Sequence, residues 1–299
     1  MRILSIIGVV VGAIMVLSLI FVALFANTLA KHDPYRTNIA DRLLLPPQQN
    51  SFDIGSQQYP FGTDNLGRDV QAVVFHGLGT TLVTSSLAVA ISLVAGAFLG
   101  IGSALLEMIA GEVGAVVKKT VIYLARFLSA GPGILLAFAV AAMYTEADRT
   151  LIIAAGIAIV LTPGFIRLFS GLALCIKDNN AIKSLLTIIG RTSLNMGLAV
   201  LLYSGFSFIG MGMPIPTPEL GSMVAVGRDF MRHAPYSHAP YLYATHMVVY
   251  PGLAIAALAL SFNILGESLN SIALTSRKRT AENQQTYPPH YKEPQPHIQ

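Results

Sequence analysis

The stretch Ile3-Leu4-Ser5-Ile6-Ile7-Gly8-Val9-Val10-Val11-Gly12-Ala13-Ile14-Met15-Val16-Leu17-Ser18-Leu19-Ile20-Phe21-Val22-Ala23-Leu24-Phe25-Ala26-Asn27-Thr28-Leu29-Ala30 decides the class of fold. It carries no charge and exceeds the roughly 20 residues that a helix needs to cross the hydrocarbon core of a bilayer. A secretory signal has an apolar region of only about 7–15 residues closed by an A-x-A triplet. The run is longer and ends in no such triplet, so it is expected to be a retained anchor. Composition agrees. Of 299 residues, 54% are hydrophobic and 11% charged, against roughly a quarter charged in soluble domains. A water-soluble globule is excluded.

Further apolar stretches lie at 81–106, 120–144, 150–175, 194–213 and 245–274. A backbone in lipid must satisfy its own hydrogen bonds, which leaves helix for each of them. The expectation is an all-α membrane protein with six transmembrane helices. Gly96, Gly100, Pro132, Gly133, Pro163, Gly164, Pro251 and Gly252 fall inside these stretches. Membrane helices tolerate them, and small residues permit close helix packing.

Basic residues set the orientation, because lysine and arginine near span ends stay in the cytoplasm. One side collects Arg2, Lys118, Lys119, Lys177, Lys183, Arg191 and Arg277-Lys278-Arg279. The other holds Lys31, Arg36, Arg42, Arg68, Arg149, Arg228 and Arg232, mostly in two long loops whose charge counts less. Both termini are expected to be cytoplasmic. Arg126 and Arg167 lie near the cytoplasmic ends of their spans, where each can snorkel to the headgroups or meet a partner inside the bundle, and snorkelling is the expectation for Arg126, close to Lys118 and Lys119. The net charge of +4 does not indicate a nucleic-acid partner, since the basic residues flank apolar runs and form no stripe. The one cysteine, Cys175, rules out an internal disulfide framework.

Several chemistries fail on their residues. Gly62-Thr63-Asp64-Asn65-Leu66-Gly67-Arg68-Asp69 has the glycine spacing of a phosphate loop, but Arg68 and Asp69 stand where Lys and Ser/Thr must follow. Any ATP hydrolysis would therefore have to occur on another chain. His233, His238 and His246 match no familiar zinc spacing and lack a nearby cysteine, so no metal and no cofactor is expected. Neither a G-x-S-x-G elbow nor an H-E-x-x-H pair occurs, and no catalytic residue is assigned.

Five ordered stretches carry a resemblance. Asp33-Pro34-Tyr35 and Leu45-Pro46-Pro47 precede Phe61-Gly62-Thr63-Asp64-Asn65-Leu66-Gly67-Arg68-Asp69. Gly131-Pro132-Gly133-Ile134-Leu135-Leu136-Ala137 and Thr162-Pro163-Gly164-Phe165-Ile166-Arg167 follow. Next come Phe206-Ser207-Phe208-Ile209-Gly210-Met211-Gly212 with Pro214, Pro216-Thr217-Pro218-Glu219 and Gly221. Tyr250-Pro251-Gly252-Leu253-Ala254-Ile255 and Phe262-Asn263-Ile264-Leu265-Gly266-Glu267 complete the set. In this order they resemble the dipeptide/oligopeptide-type permeases of binding-protein-dependent ABC importers, whose signatures include F-G-T-D-x-L-G-R-D and P-T-P-E-W-G.

The resemblance implies a type I importer transmembrane domain that moves peptides or similar solutes. Its partners would be a second homologous permease, two cytoplasmic ATPases and an external solute-binding protein, with membrane lipid around it and no nucleic acid. The chain is expected to divide into a transmembrane helix at 1–30, an external loop at 31–79 and a disordered cytoplasmic tail at 277–299, the last two read from their polar, proline-containing composition, with a five-helix permease core at 80–276 between them. Within the core, a cytoplasmic coupling segment spans about 176–193, with Asp178, Lys183, Ser184, Leu185, Leu186 and Gly190 as its contact residues.

Here the chain departs from the family. Ser184-Leu185-Leu186 stands where E-A-A is usual and only Gly190 is kept. Leu220 replaces a common tryptophan, and Asn270 a terminal arginine. Such erosion resembles the divergent antimicrobial-peptide-sensitivity branch. It keeps open a coupling-impaired channel or scaffold beside the working permease, and a membrane-integrated metal enzyme is a third alternative. No residue selects among the peptides, nickel, haem, polyamines and sugars that relatives handle.

Overall fold

The computed structural model describes residues 2–47, 58–142, 149–174, 181–232 and 245–286. These residues form eight α-helices and a short 3-10 turn, Ile39–Asp41, with no strand among them. The helices are α1 (Arg2–Leu24), α2 (Ala26–Leu29), α3 (Val70–Ser129), α4 (Pro132–Ala142), α5 (Arg149–Leu174), α6 (Ala181–Phe208), α7 (Leu220–Arg232) and α8 (Thr245–Thr286). Five of them are long and apolar enough to cross a membrane, and Gly133–Ala142 is a shorter apolar helix.

The expected spans are present with shifted borders, each for a local reason. The loop expected to reach residue 79 ends at Asp69, whose carboxylate accepts from the Gln71 amide at 2.9 Å and caps α3. The spans at 81–106 and 120–144 share the long α3, which breaks at Gly111 (φ 55°). There the chain doubles back so tightly that a methyl on Gly114 would lie 2.0 Å from the Leu106 carbonyl oxygen. Lys118 Nζ to Glu107 Oε2, at 2.5 Å, staples the elbow. A second break at Ala130 and Gly131 (φ 124°) then separates α3 from α4, so the third expected span arrives in two pieces.

The fifth expected span, 194–213, begins at Ala181 and ends at Phe208. The expected coupling segment is thus continuous with it from residue 181 onward, because no proline interrupts the hydrogen-bond ladder. At 1.5 Å per residue this helix of 28 residues measures about 42 Å, longer than the ~30 Å hydrocarbon core. Helix α7 occupies a stretch whose polar composition predicts only loop. Helix α8 extends to Thr286, into the region expected to be disordered, while residues 287–299 lie outside the described ones.

Small residues set how closely the helices approach. Methyl groups on Gly96 and Gly100 would strike the α5 backbone near Phe165, Ile166 and Ser170. By contrast, a methyl on Gly164 or Gly252 would meet nothing within 4 Å among the described residues. On the other side α8 lies between α1 and α6. Gly8 and Gly12 meet Ser268 and Leu265, and Ser5 Oγ lies 2.9 Å from Ser271 Oγ. Gly190 and Gly266 face each other directly: a methyl on Gly266 would lie 2.7 Å from the Gly190 carbonyl oxygen, and one on Gly190 2.6 Å from Asn270 Oδ1. We expect Gly266→Ala to destabilise the fold by about 1–3 kcal/mol, since it meets backbone. Gly190→Ala should cost less, because the Asn270 side chain can swing away. Thermal unfolding of the two purified variants compares them.

Two apolar cores result. One joins Ala88, Ile157, Leu161, Phe165, Ala199 and Phe206 from α3, α5 and α6. The other joins Val70, Val73, Leu220, Met223, Met247 and Leu258 from α3, α7 and α8. Outward-facing apolar side chains such as Ile3, Leu17, Phe98 and Leu135 cover the bundle, as lipid contact requires.

Candidate functional site: a clasp at one end of the bundle

The two signature loops fold onto each other at one end of the bundle. Asp64 is 1% exposed and its carboxylate is saturated by local donors. Its Oδ1 accepts from the amides of Leu66 (2.8 Å) and Arg68 (2.9 Å), and its Oδ2 from Arg68 Nε at 2.6 Å. The same guanidinium reaches across the bundle and donates through Nη1 to the Pro216 carbonyl at 2.9 Å. One planar cation therefore ties the first signature to the second, using the fork geometry that arginine alone offers.

Thr63 continues the clasp. Its hydroxyl donates to the Asp41 carbonyl and accepts from the Leu44 amide at 2.8 Å. The Thr63 carbonyl is 2.8 Å from His246 Nε2 at the start of α8. Phe61 stacks on Tyr250, ring centroids 4.1 Å apart and 8° from parallel. The next residue, Pro251, is buried in α8. Asp69 caps α3 with one oxygen and meets His32 Nδ1 at 2.9 Å with the other. Gly62 and Gly67 adopt positive φ, 75° and 73°, which lets the loop turn under Leu44 and Asn38. Nearby, burial and the hydrogen bond to the Asp41 carboxylate push the Tyr59 hydroxyl above its ordinary value.

The second loop is held from within. Glu219, 1% exposed, accepts from the Tyr203 hydroxyl and from the Met213 amide at 3.1 Å through Oε1. Gly210 takes φ 93°, and Gly212 and Gly221 lie where a side chain would strike Glu219 or the α6 backbone. Leu220, in the place of the expected tryptophan, is fully buried against Gly77. Pro218 precedes Glu219 in the same turn.

Stretches found separately along the sequence thus become contact partners. The first signature touches the second through Arg68 and the last helix through Phe61 and His246, while Gly190 touches Gly266. Other assigned residues stay apart. Lys183, Ser184, Leu185 and Leu186 lie at the start of α6, toward the far end of the bundle, and Glu267 is exposed on α8. Asp178 lies outside the described residues, as do His233 and His238. His246 is 5% exposed and its Nε2 is bonded to the Thr63 carbonyl. Among the described residues no group of three His, Cys, Asp or Glu could hold a metal.

Sequence reasoning missed Tyr203, His32 and Asp41. Tyr203 had a signal, being a polar tip inside an apolar span, where a buried hydroxyl needs a partner. Asp69→Ala should lower stability by about 1 kcal/mol through loss of the cap. The check is the unfolding midpoint of the purified variant, which His32→Ala should move less.

The arrangement pins the starts of α3, α7 and α8 to one another, as befits a structural end of a membrane bundle. Comparison with known proteins agrees. The family described as the N-terminal TM domain of oligopeptide transport permease C matches residues 8–47. The dipeptide transport system permease protein of Alkalihalophilus pseudofirmus is 29% identical over 280 residues, 87% of this chain and 83% of that one. The dipeptide permease of Haemophilus influenzae is 28% identical, covering 88% of each. A glutathione transport system permease protein of Escherichia coli is 31% identical over 278 residues, 86% of this chain and 83% of its own length. With likeness of that extent over most of its length, this multi-pass membrane chain belongs to the family of dipeptide/oligopeptide-type ABC importer permease subunits.

Proposed function

We propose that the chain carries peptides or similar small solutes across the bacterial inner membrane as one half of a two-permease pathway. Two cytoplasmic ATPase chains drive it and an external solute-binding protein delivers the solute. The observation that carries this reading is the match along most of the chain to permeases named for dipeptide and glutathione transport. The placement of lysine and arginine puts the clasp outside, and both termini with the start of α6 inside.

In this reading residues 178–190 receive the push of the ATPases. Helix α6 carries Ile182, Leu185 and Ile189 exposed near its start and Tyr203 and Phe206 buried near its end. A continuous helix packed on α8 through Gly190 and Gly266 moves as a rod, so force needs no carboxylate at the contact. This favours a coupled permease over a coupling-impaired scaffold.

Uptake of a labelled dipeptide and of labelled glutathione, in cells lacking the gene and complemented with it, is the test. ATP-dependent uptake of at least one, abolished when 178–190 becomes a flexible linker, is the expected result. Co-purification without any ATPase or second permease would sink the proposal. So would external labelling of a cysteine placed at Lys183 in intact cells.

A further inference from the structure

Buried polar atoms without a hydrogen-bond partner are rare in folded proteins and mark functional positions when they lie inside a membrane bundle. Most of those among the described residues lie in one neighbourhood: Thr81 Oγ1, Ser85 Oγ, Ser204 Oγ, Ser207 Oγ and Glu219 Oε2. Thr81 and Ser85 sit on the face of α3 that also carries Gly77, against Leu220, and Ala88, in the core with Tyr203. Glu219 follows from the other side, hydrogen-bonded to Tyr203. The seam thus runs between α3, α6 and the turn into α7.

Two of these oxygens are placed closely. A methyl on Gly212 would lie 2.2 Å from Ser207 Oγ and 2.3 Å from Glu219 Oε2, so both face the same point of the backbone. A methyl on Gly221 would lie 2.5 Å from Ser207 Cβ and 2.3 Å from the Ser204 carbonyl oxygen, so the start of α7 packs against this same turn of α6. No basic side chain pairs with Glu219 among the described residues. Arg68, which lines the cleft next to it, is engaged by Asp64 and Pro216. A buried carboxylate needs a compensating charge or a proton, and binding of a cation decides between the two.

We propose that Glu219 Oε2 and Ser207 Oγ bind one small monovalent cation of the sodium class. The donor set decides the class. One carboxylate and neutral hydroxyls are hard oxygen ligands carrying a single charge, whereas divalent cages collect several carboxylates and soft metals need His or Cys. The ion links α6 to the turn that enters α7 and neutralises the buried carboxylate. The site is independent of which solute the chain moves.

The test uses the full-length chain, purified in mild detergent with the subunits it carries, and radiolabelled sodium as probe. Saturable binding is expected, together with a higher unfolding midpoint in sodium chloride than in choline chloride of equal strength. Glu219→Gln should lose the binding and Ser207→Ala should shift the titration to higher sodium. Should Glu219→Gln fail to fold, Ser207→Ala still decides, since it removes one ligand and leaves the carboxylate. No saturable binding by the unsubstituted protein, as when only water occupies the seam, overturns the proposal. Binding untouched by Ser207→Ala overturns it equally.

Discussion

Arg68→Ala should lower the unfolding free energy by about 3–5 kcal/mol, the range found when one partner of a buried ion pair is removed. The substitution strands Asp64, which at 1% exposure cannot turn to water, with only the amides of residues 66 and 68 as donors. It also frees the Pro216 carbonyl, so the second signature loop loses its tie to the first. Asp64→Ala should be comparably severe, and the double substitution milder than the two losses combined, since it leaves no unpaired charge. Arg68→Lys should not rescue. A single ammonium cannot serve the Asp64 carboxylate and the Pro216 carbonyl together as the guanidinium fork does. Thermal unfolding of the purified variants measures all four, and a loss under about 1 kcal/mol for Arg68→Ala would show the pair to be ornamental, in the range of exposed ion pairs.

The second large effect is expected at Gly67→Ala. With φ at 73°, an added methyl costs about 1–2 kcal/mol from backbone sterics alone. It would also fall 1.7 Å from the Asn38 carbonyl oxygen and 2.6 Å from its carbon. That neighbour is backbone, held in place because the Asn38 amide donates to the Leu66 carbonyl at 3.1 Å and its side chain starts the 3-10 turn. The loop must open, which adds about 1–3 kcal/mol or more. A loss of no more than about 2 kcal/mol, the conformational cost alone, would refute the clash.

Much of the fold was legible beforehand, for one reason. In lipid a backbone has no water to bond, so length and apolarity alone select helix for runs such as 3–24 and 150–174. The borders were less legible. Hydropathy cut the fifth span at residue 194, where Lys183, Arg191 and Asn195 thin the apolar pattern. The helix nevertheless continues back to Ala181, because a hydrogen-bond ladder propagates cheaply once formed and no proline stops it. The start of α3 was missed by the same reliance on hydropathy, although Asp69 is a good cap by type. Helix α7 lies in a polar stretch and earns its structure by packing Leu220 and Met223 against α3 and α8.

By itself, then, the sequence determined that the chain crosses the membrane repeatedly, which signatures it carries and that no nucleotide loop is among them. These follow from local composition and spacing. Only the tertiary structure decided which signatures meet: Arg68 with Pro216, Phe61 with Tyr250, Gly190 with Gly266, and Tyr203 with Glu219. Partners as far apart as residues 68 and 216 leave no trace in local pattern. Their pairing is set by helix packing that small residues allow, and by the need of every buried charge and hydroxyl to find an oxygen or a proton nearby.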